Sequence, residues 1–495
     1  MNFDQASLQI LAQIQAVLPA ATPIHLVGGA VRDLLLHRAS HDFDFVVPQN
    51  AIAISRRVAN ALKGGFFALD PERDTGRVIV TLEQNERYFL DFASYRGQDL
   101  ESDLRNRDFT INAMALDIRR PERLIDPLGG ARDLREKRLR LCSPSAFQDD
   151  PLRILRCVRL AIEYELTISP EARQALHQAL PSLAGVSPER LRDELFRILE
   201  LRKPVAALRV LDLLGALPYV LPELQELKGV TQPPPHQDDV WAHTLNTAQK
   251  LASLLDVLQP EHDSEAAANW TMGLVSLRIG RYRQPLNEHL AEALHPERSL
   301  RALLLLAALY HDTGKPATRK VDPDGRVHFL EHEQVGAEMA QQRGAWLRLS
   351  NAEIGRLTAI IRHHMRPLLL SKRGETPGRK AIYRFFRDTG PAGVDICLLS
   401  LADTLATYGI GMPSEVWAYH LDVIRTLLEA WWEQTEEKIA PPALVNGQDL
   451  MEALGLPPGP EIGRLLEAIR EAQAAGEITQ RSEALEYARA RLRKQ

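Results

Sequence analysis

A chain of 495 residues, 45% hydrophobic and 25% charged with a net charge of −5, is too long for one core and has the composition of a globular protein of roughly three domains. The acidic balance excludes a globally basic nucleic-acid binder, and three cysteines (Cys142, Cys157, Cys397) with no Cys-x-x-Cys pair exclude a disulfide framework. The first residues lack a basic region followed by an apolar core, and no apolar run reaches the roughly 18 residues of a bilayer span, so a cytoplasmic protein without a membrane partner is expected.

Residues 3–19 read as an amphipathic helix. Pro23 to Val27 forms a first strand, Gly28-Gly29 a tight turn, and Ala30 to His37 a helix. A strand, a glycine pair and a helix start make a phosphate cradle, because free backbone N–H groups point at the anion, and Arg32 in the first turn can reach a phosphate oxygen. His41 to Val47 then reads as a buried strand. Residues two apart on a strand share a face, so Asp42 and Asp44 leave together while Phe43 and Phe45 enter a core. Two carboxylates on one face repel each other unless a cation lies between them, and oxygen ligands suit Mg2+. The order and close spacing of cradle and carboxylate pair point to metal-assisted chemistry on a nucleoside triphosphate.

A helix over Ala51–Leu62, an extended stretch over Phe66–Leu69, and strands over Gly76–Leu82 and Arg87–Ala93 joined by a turn at Glu83–Glu86 complete a small mixed α/β domain. Asp91, on the last strand, is the candidate third acidic group. Between Arg105 and Arg159 the chain carries 13 Lys and Arg against 8 Asp and Glu, a local basic face suited to phosphate contacts. Beyond residue 146 nearly everything reads as helix. Asp150 is a good N-cap and Pro151 suits the first helical position, after which Arg153, Arg156 and Arg159 recur on one side. Ser187-Pro188 opens another helix by the same rule.

Thr231 to His236 is a stiff proline-rich linker and a candidate boundary. The helical domain after it, roughly 237–410, contains a weakly periodic stretch at about 255–298 that reads as an insertion. It also carries His243, the pair His311-Asp312 ahead of Gly314-Lys315, and Asp403, with His332, His363 and His364 between them. Imidazole and carboxylate ligands suit a transition metal or Mg2+/Mn2+. The pattern does not choose between His363 and His364 as a ligand.

The motifs Leu26 to Leu36, Asp42 to Asp44, Arg107 to Met114 and Asp150 to Arg156 resemble, in order, those of class II tRNA nucleotidyltransferases, which include CCA-adding enzymes and bacterial poly(A) polymerases. The resemblance implies an α+β fold, with a DNA-polymerase-β-like head followed by a long helical body. It implies that Gly28, Gly29 and Arg32 hold the triphosphate and that Asp42 and Asp44 hold Mg2+. It also implies that Arg107 with Asp108 and Asn112, and Asp150, Arg153, Arg156 and Arg159, line the nucleotide pocket. Asn106 stands where the family often has a second arginine, and Asp149 where it often has glutamate. An ionised Asp150 accepts and Arg153 donates, which matches the amino group beside a ring nitrogen on C and A and mismatches U and G. The His…His-Asp…Asp order resembles the HD phosphohydrolase superfamily, implying His243, His311, Asp312 and Asp403 as ligands with His332 and His364 as further candidates. The expected division is a head at 1–145, a neck at 146–232, an HD-type domain at 233–410 and a helical tail at 411–495. The expected function is addition or repair of the tRNA 3′ CCA end from CTP and ATP, with phosphohydrolysis as a second activity. The alternatives are a CC-adding, A-adding or poly(A)-adding relative, and an HD phosphohydrolase whose head is an inactive RNA clamp.

Overall fold

The computed structural model describes residues 3–19, 21–82, 86–261, 269–371 and 376–493. Glu83, Gln84 and Asn85 of the expected turn, and 262–268 of the expected insertion, lie outside the described residues. Two compact units emerge: residues 1–190 with 209–216, and residues 191–208 with 217–495.

The first unit is built on a sheet of seven strands: β1 (His25–Val27), β2 (Asp42–Val47), β3 (Gly65–Asp70), β4 (Thr75–Thr81), β5 (Arg87–Ser94), β6 (Ala115–Asp117) and β7 (Leu124–Ile125). Their spatial order is β3-β4-β5-β2-β1-β6-β7. β2 and β5 run parallel, and the other neighbours are antiparallel. Helices α1 (Gln5–Val17), α2 (Gly29–Leu35), α3 (Ala51–Leu62) and α4 (Leu100–Arg105) pack around it. Asp4 caps α1 by accepting the Ser7 N–H.

The alternation in β2 decides which face is which. Phe43 and Phe45 are buried with Val78, Leu90 and Phe92 against Ile10 and Ile14 of α1 and Val58 of α3. The rings of Phe45 and Phe92 stack at 4.9 Å. Each such side chain contributes about 1.5–3 kcal/mol on burial. A one-residue slip of β2 would expel both phenylalanines and drive both aspartates into hydrocarbon, so the register is strongly specified. The opposite face carries a smaller core of Val27, Val46, Leu104, Ala113 and Ala115 on its β1 and β6 side.

One helix starts later than its cap signal predicts. Asp150 does accept the Leu152 N–H, at 3.3 Å, but the helix itself runs Arg153–Glu163. Ile154 and Leu155 donate to Pro151 and Leu152 three residues back, so the first turn is tightened.

The second unit is helical. Its principal elements are Val240–Val257, Leu300–Tyr310, His332–Trp346, Asn351–His363 and Ala392–Tyr408. The stretch expected to be an insertion holds the helices Trp270–Ile279 and Arg283–Ala291. A tail from Val445 to Ala488 has its own small core, including Leu450, Leu465 and Ile469. One correction concerns hydropathy: residues Ala392–Gly411 are long and apolar enough for a bilayer span, with a mean hydropathy of 1.3. Yet 72% of that window is buried inside the protein, and the helix carries Asp395 and Asp403 into the unit's interior.

Arg298 and Glu353 form a buried, forked ion pair at 2.7 and 2.8 Å. Burial opposes ionisation of Glu353, but Arg298 and the Ser350 N–H outweigh it and hold the carboxyl below its usual range. A depressed carboxylate stabilises the fold above the unfolded value, and that contribution is lost as pH falls through the folded one. Glu353→Gln should therefore cost about 3–5 kcal/mol at neutral pH, and its deficit in melting temperature against the parent should shrink as the pH falls into the acid range.

Candidate functional site

The register of the sheet assembles the first site. β2 projects Asp42 and Asp44, both exposed, and β5 places Asp91 beside Asp44. Asp44 keeps surface in contact with solvent, yet the protein packed around it strips part of its hydration and raises its pKa; Arg107 opposes this, and the Asp91 and Asp42 carboxylates add to it. Arg77 of β4 sits opposite Asp91 and forks onto it, Nε to Oδ1 at 2.7 Å and Nη2 to Oδ2 at 2.8 Å. Three carboxylates facing one space offer the oxygen donors that a hard divalent cation takes.

Gly28 ends β1 with φ +72°, a left-handed conformation, and a Cβ there would stand 3.1 Å from Asp44 Oδ2 and 3.2 Å from Arg107 Nη1. The turn thus brings backbone against carboxylate and guanidinium together. Arg32, on α2, is buried. It donates to Asp33 at 3.0 Å through Nε and again through Nη2, to Asn112 Oδ1 at 2.7 Å, and to the Tyr164 hydroxyl. Its guanidinium also lies 4.1 Å over the Tyr164 ring. Arg32 therefore clamps the glycine turn to the 107–112 motif and to the helix that ends at Tyr164.

The basic groups are already paired. Arg107 donates to Asp103 at 3.2 and 3.3 Å. Buried Asp108 accepts from Arg156 at 3.0 Å, Asn112 at 3.1 Å and the Phe109 N–H at 2.8 Å. Burial opposes Asp108 ionisation, but Arg156 and Asn112 outweigh it and hold the carboxyl below its usual range. Asp150 accepts from Arg190 at 2.7 Å, while Arg153 donates to the Ala146 and Asn106 carbonyls at 3.2 and 3.3 Å. Arg159 pairs with Glu163 at 3.0 Å.

The second site gathers five helices. His243 Nε2 lies 3.0 Å from Asp403 Oδ1 and 3.5 Å from Asp312 Oδ2, and His311 Nε2 lies 3.2 Å from Asp312 Oδ2. His332 Nε2 is 3.4 Å from Asp312 Oδ1. The His364 ring is 5.2 Å from that of His311 and 5.3 Å from that of His332. A common device aims three of these rings. His311, His332 and His364 each donate Nδ1–H to the carbonyl three residues back, Ala308, Phe329 and Ile361, at 2.7–2.8 Å. That fixes the tautomer and leaves Nε2 as a lone pair. All three Nε2 atoms are buried and make no hydrogen bond. Orphaned acceptors converging on buried carboxylates fit a divalent cation. Burial, with His311 and His332 adding, pushes the His364 pKa down to about 3. Lys315 Nζ lies 2.6 Å from Asp312 Oδ2. A cavity of about 520 Å³ adjoins the cluster, lined by His236, Lys315, Phe329, Leu330, Leu369 and Tyr408 among others. The proline-rich stretch forms part of its wall through Gln232, Pro233 and Pro235, so it shapes a site as well as joining elements.

Profiles of known families match in the same order: "Poly A polymerase head domain" over 24–140, "Probable RNA and SrmB- binding site of polymerase A" over 165–228, "HD domain" over 240–408 and "tRNA nucleotidyltransferase domain 2 putative" over 432–488. The chain is 36% identical to the A-adding tRNA nucleotidyltransferase of Deinococcus radiodurans across 92% of each protein. It is 34% identical to the CC-adding tRNA nucleotidyltransferase of Thermus thermophilus across 92% of this chain and 91% of that one. The chain belongs to the class II tRNA nucleotidyltransferase family. The fold agrees with that of a CCA-adding enzyme in complex with CTP, with a TM-score of 0.61 at 21% identity over 99% of this chain and 96% of that one.

Residue patterns alone did not single out several groups around this nucleotidyltransferase's sites. Arg77 and Arg190 contact Asp91 and Asp150 only through tertiary pairing. Tyr164 reaches Arg32 from 132 residues away. Lys315, beside the His-Asp pair, carried a signal in its spacing, and His236 lay in the linker. Between the adjacent histidines, only His364 turns Nε2 inward, whereas His363 is half-buried near Arg366 and Asp388. His364→Ala should therefore abolish or sharply reduce metal retained by the second unit, and His363→Ala should leave it unchanged, as read by elemental analysis of the purified protein.

Proposed function

We propose that the chain builds or repairs the 3′ CCA end of tRNA from CTP and ATP without a nucleic-acid template, releasing pyrophosphate. The observation that carries this reading is the set of three carboxylates on one sheet face beside the Gly28 turn. Mg2+ held by Asp42 and Asp44 would stabilise charge on the attacking and leaving oxygens. Gly28 and Gly29 would cradle the triphosphate, Arg32 would hold that turn in place, and Arg107 and Arg156 would offset phosphate charge. Asp91 would accept the proton of the primer 3′-hydroxyl, and Arg77 orients it.

Asp150 and Arg153 would read the incoming base. A mismatched U or G leaves polar groups unpaired, at about 1–3 kcal/mol each. Asp150 would exchange Arg190 for the base on reading it. One observation favours a second reading, in which the chain makes only part of the CCA end: relatives aligned over more than nine-tenths of the chain include an A-adding enzyme and CC-adding enzymes. The buried imidazole cluster supports metal-dependent phosphate-ester hydrolysis as a second activity. Head, neck, HD-type domain and tail, at the boundaries expected from sequence, are the functional division that goes with this reading.

The deciding experiment supplies tRNAs ending at successive 3′ positions with each labelled triphosphate. Incorporation of C, C and A in turn supports full CCA addition, and acceptance of one class of primer alone supports partial addition. Asp42→Ala and Asp44→Ala should each lower incorporation about a thousandfold or more while leaving chelator-sensitive phosphatase activity intact. Survival of incorporation in either variant would end the transferase reading.

A further inference from the structure

Strand order lays out the parts of the first site in a line. From β1 to β3 the face carries Gly28, then Asp44, then Asp91, then Arg77, then Phe67, each directly paired with the next from Asp44 onward. The two flanks differ. On the β1 flank the face is covered by the smaller core beneath α4, and Arg107 stands against the glycine turn. On the β3 flank it is open: Phe67 is 55% exposed and Leu69 47% exposed. Arg77, between them and the acids, uses the edge of its guanidinium to fork onto Asp91, which turns its flat faces toward stacking partners. One of these lies over the Phe89 ring, 5.5 Å from its centroid.

An in-line displacement puts the attacking oxygen and the leaving pyrophosphate on opposite sides of the α-phosphorus. With the triphosphate on the Gly28 and Arg107 flank, the attacking hydroxyl arrives from the β5-to-β3 flank. We propose that Phe67, Arg77 and Phe89 form the seat of the primer's 3′-terminal nucleotide: its base stacks on Phe67 and the Arg77 plane, and its 3′-hydroxyl is delivered to Asp91. This rests on the transferase reading above. Stacking on aromatic and arginine planes recognises single-stranded RNA without choosing a base, because every base has a π-face. That tolerance suits an enzyme whose primer terminus changes with each addition. The strip also explains why large apolar side chains remain in water beside a cluster of carboxylates.

The test uses the full chain, a tRNA primer and CTP or ATP. Phe67→Ala should raise KM for tRNA about tenfold and leave KM for the triphosphate unchanged. Phe67→Trp should restore the parental value, and Phe67→Leu, which keeps apolar cover without a ring, should not. A primer with 2-aminopurine as its last nucleotide should be quenched on binding the parent and less so on binding Phe67→Ala, a readout that needs no turnover. An unchanged KM for tRNA with unchanged quenching overturns the seat. So does a rise confined to the triphosphate KM, which would give the strip to the incoming nucleotide. A change in sedimentation with unaltered kinetics would give it to a second copy of the chain, and likewise overturns the seat. If the parent incorporates no nucleotide on any tRNA, the transferase reading fails instead, and the quenching measurement still decides the seat.

Discussion

Like charge gathered on one sheet face is the constraint on which the first unit depends. The parallel pairing of β2 with β5 sets Asp44 beside Asp91, and the alternation within β2 adds Asp42. The same alternation sends Phe43 and Phe45 into the main core, so folding itself concentrates the carboxylates. Arg77 on Asp91 and Arg107 near Asp44 relieve part of their repulsion. The energy that folds the core is what holds these like charges together, an arrangement that a bound cation would stabilise.

The arginines around the site obey a complementary rule. Arg32, Arg107, Arg156 and Arg159 are each held by a carboxylate of the chain. A guanidinium that is already paired loses little when it trades a carboxylate for a phosphate, whereas an idle one would have to give up its water. Pre-pairing also fixes side-chain positions before a ligand arrives, which lowers the ordering cost of binding. Arg190 on Asp150 fits the same pattern on the acceptor side, keeping that carboxylate satisfied within the chain.

What was legible in the sequence follows from how local each signal is. Period-two alternation made β2 readable with both aspartates on one face, and the glycine pair and α3 were readable for equally local reasons. The order His243, His311-Asp312, Asp403 was visible, and the structure brings these residues within hydrogen-bonding range. What was hidden depends on register or distance. Nothing in the run Thr75 to Thr81 says that Arg77 will face Asp91. β6 and β7 are too short to carry a periodic signal. The Nε2 of His364 is distinguishable from that of its neighbour only once the Ile361 carbonyl fixes the ring. Helix 392–408 misleads by composition, because a core helix and a membrane helix differ in surroundings more than in residues.

The two units answer the same electrostatic problem with different ligands. The first offers carboxylate oxygens at an exposed sheet face, which favour a hard ion that keeps some of its water. The second offers buried imidazole nitrogens, locked in one tautomer by backbone carbonyls, alongside two aspartates. Such a set prefers a softer or transition-metal ion. The difference in donor atoms means that one kind of ion need not suit both sites.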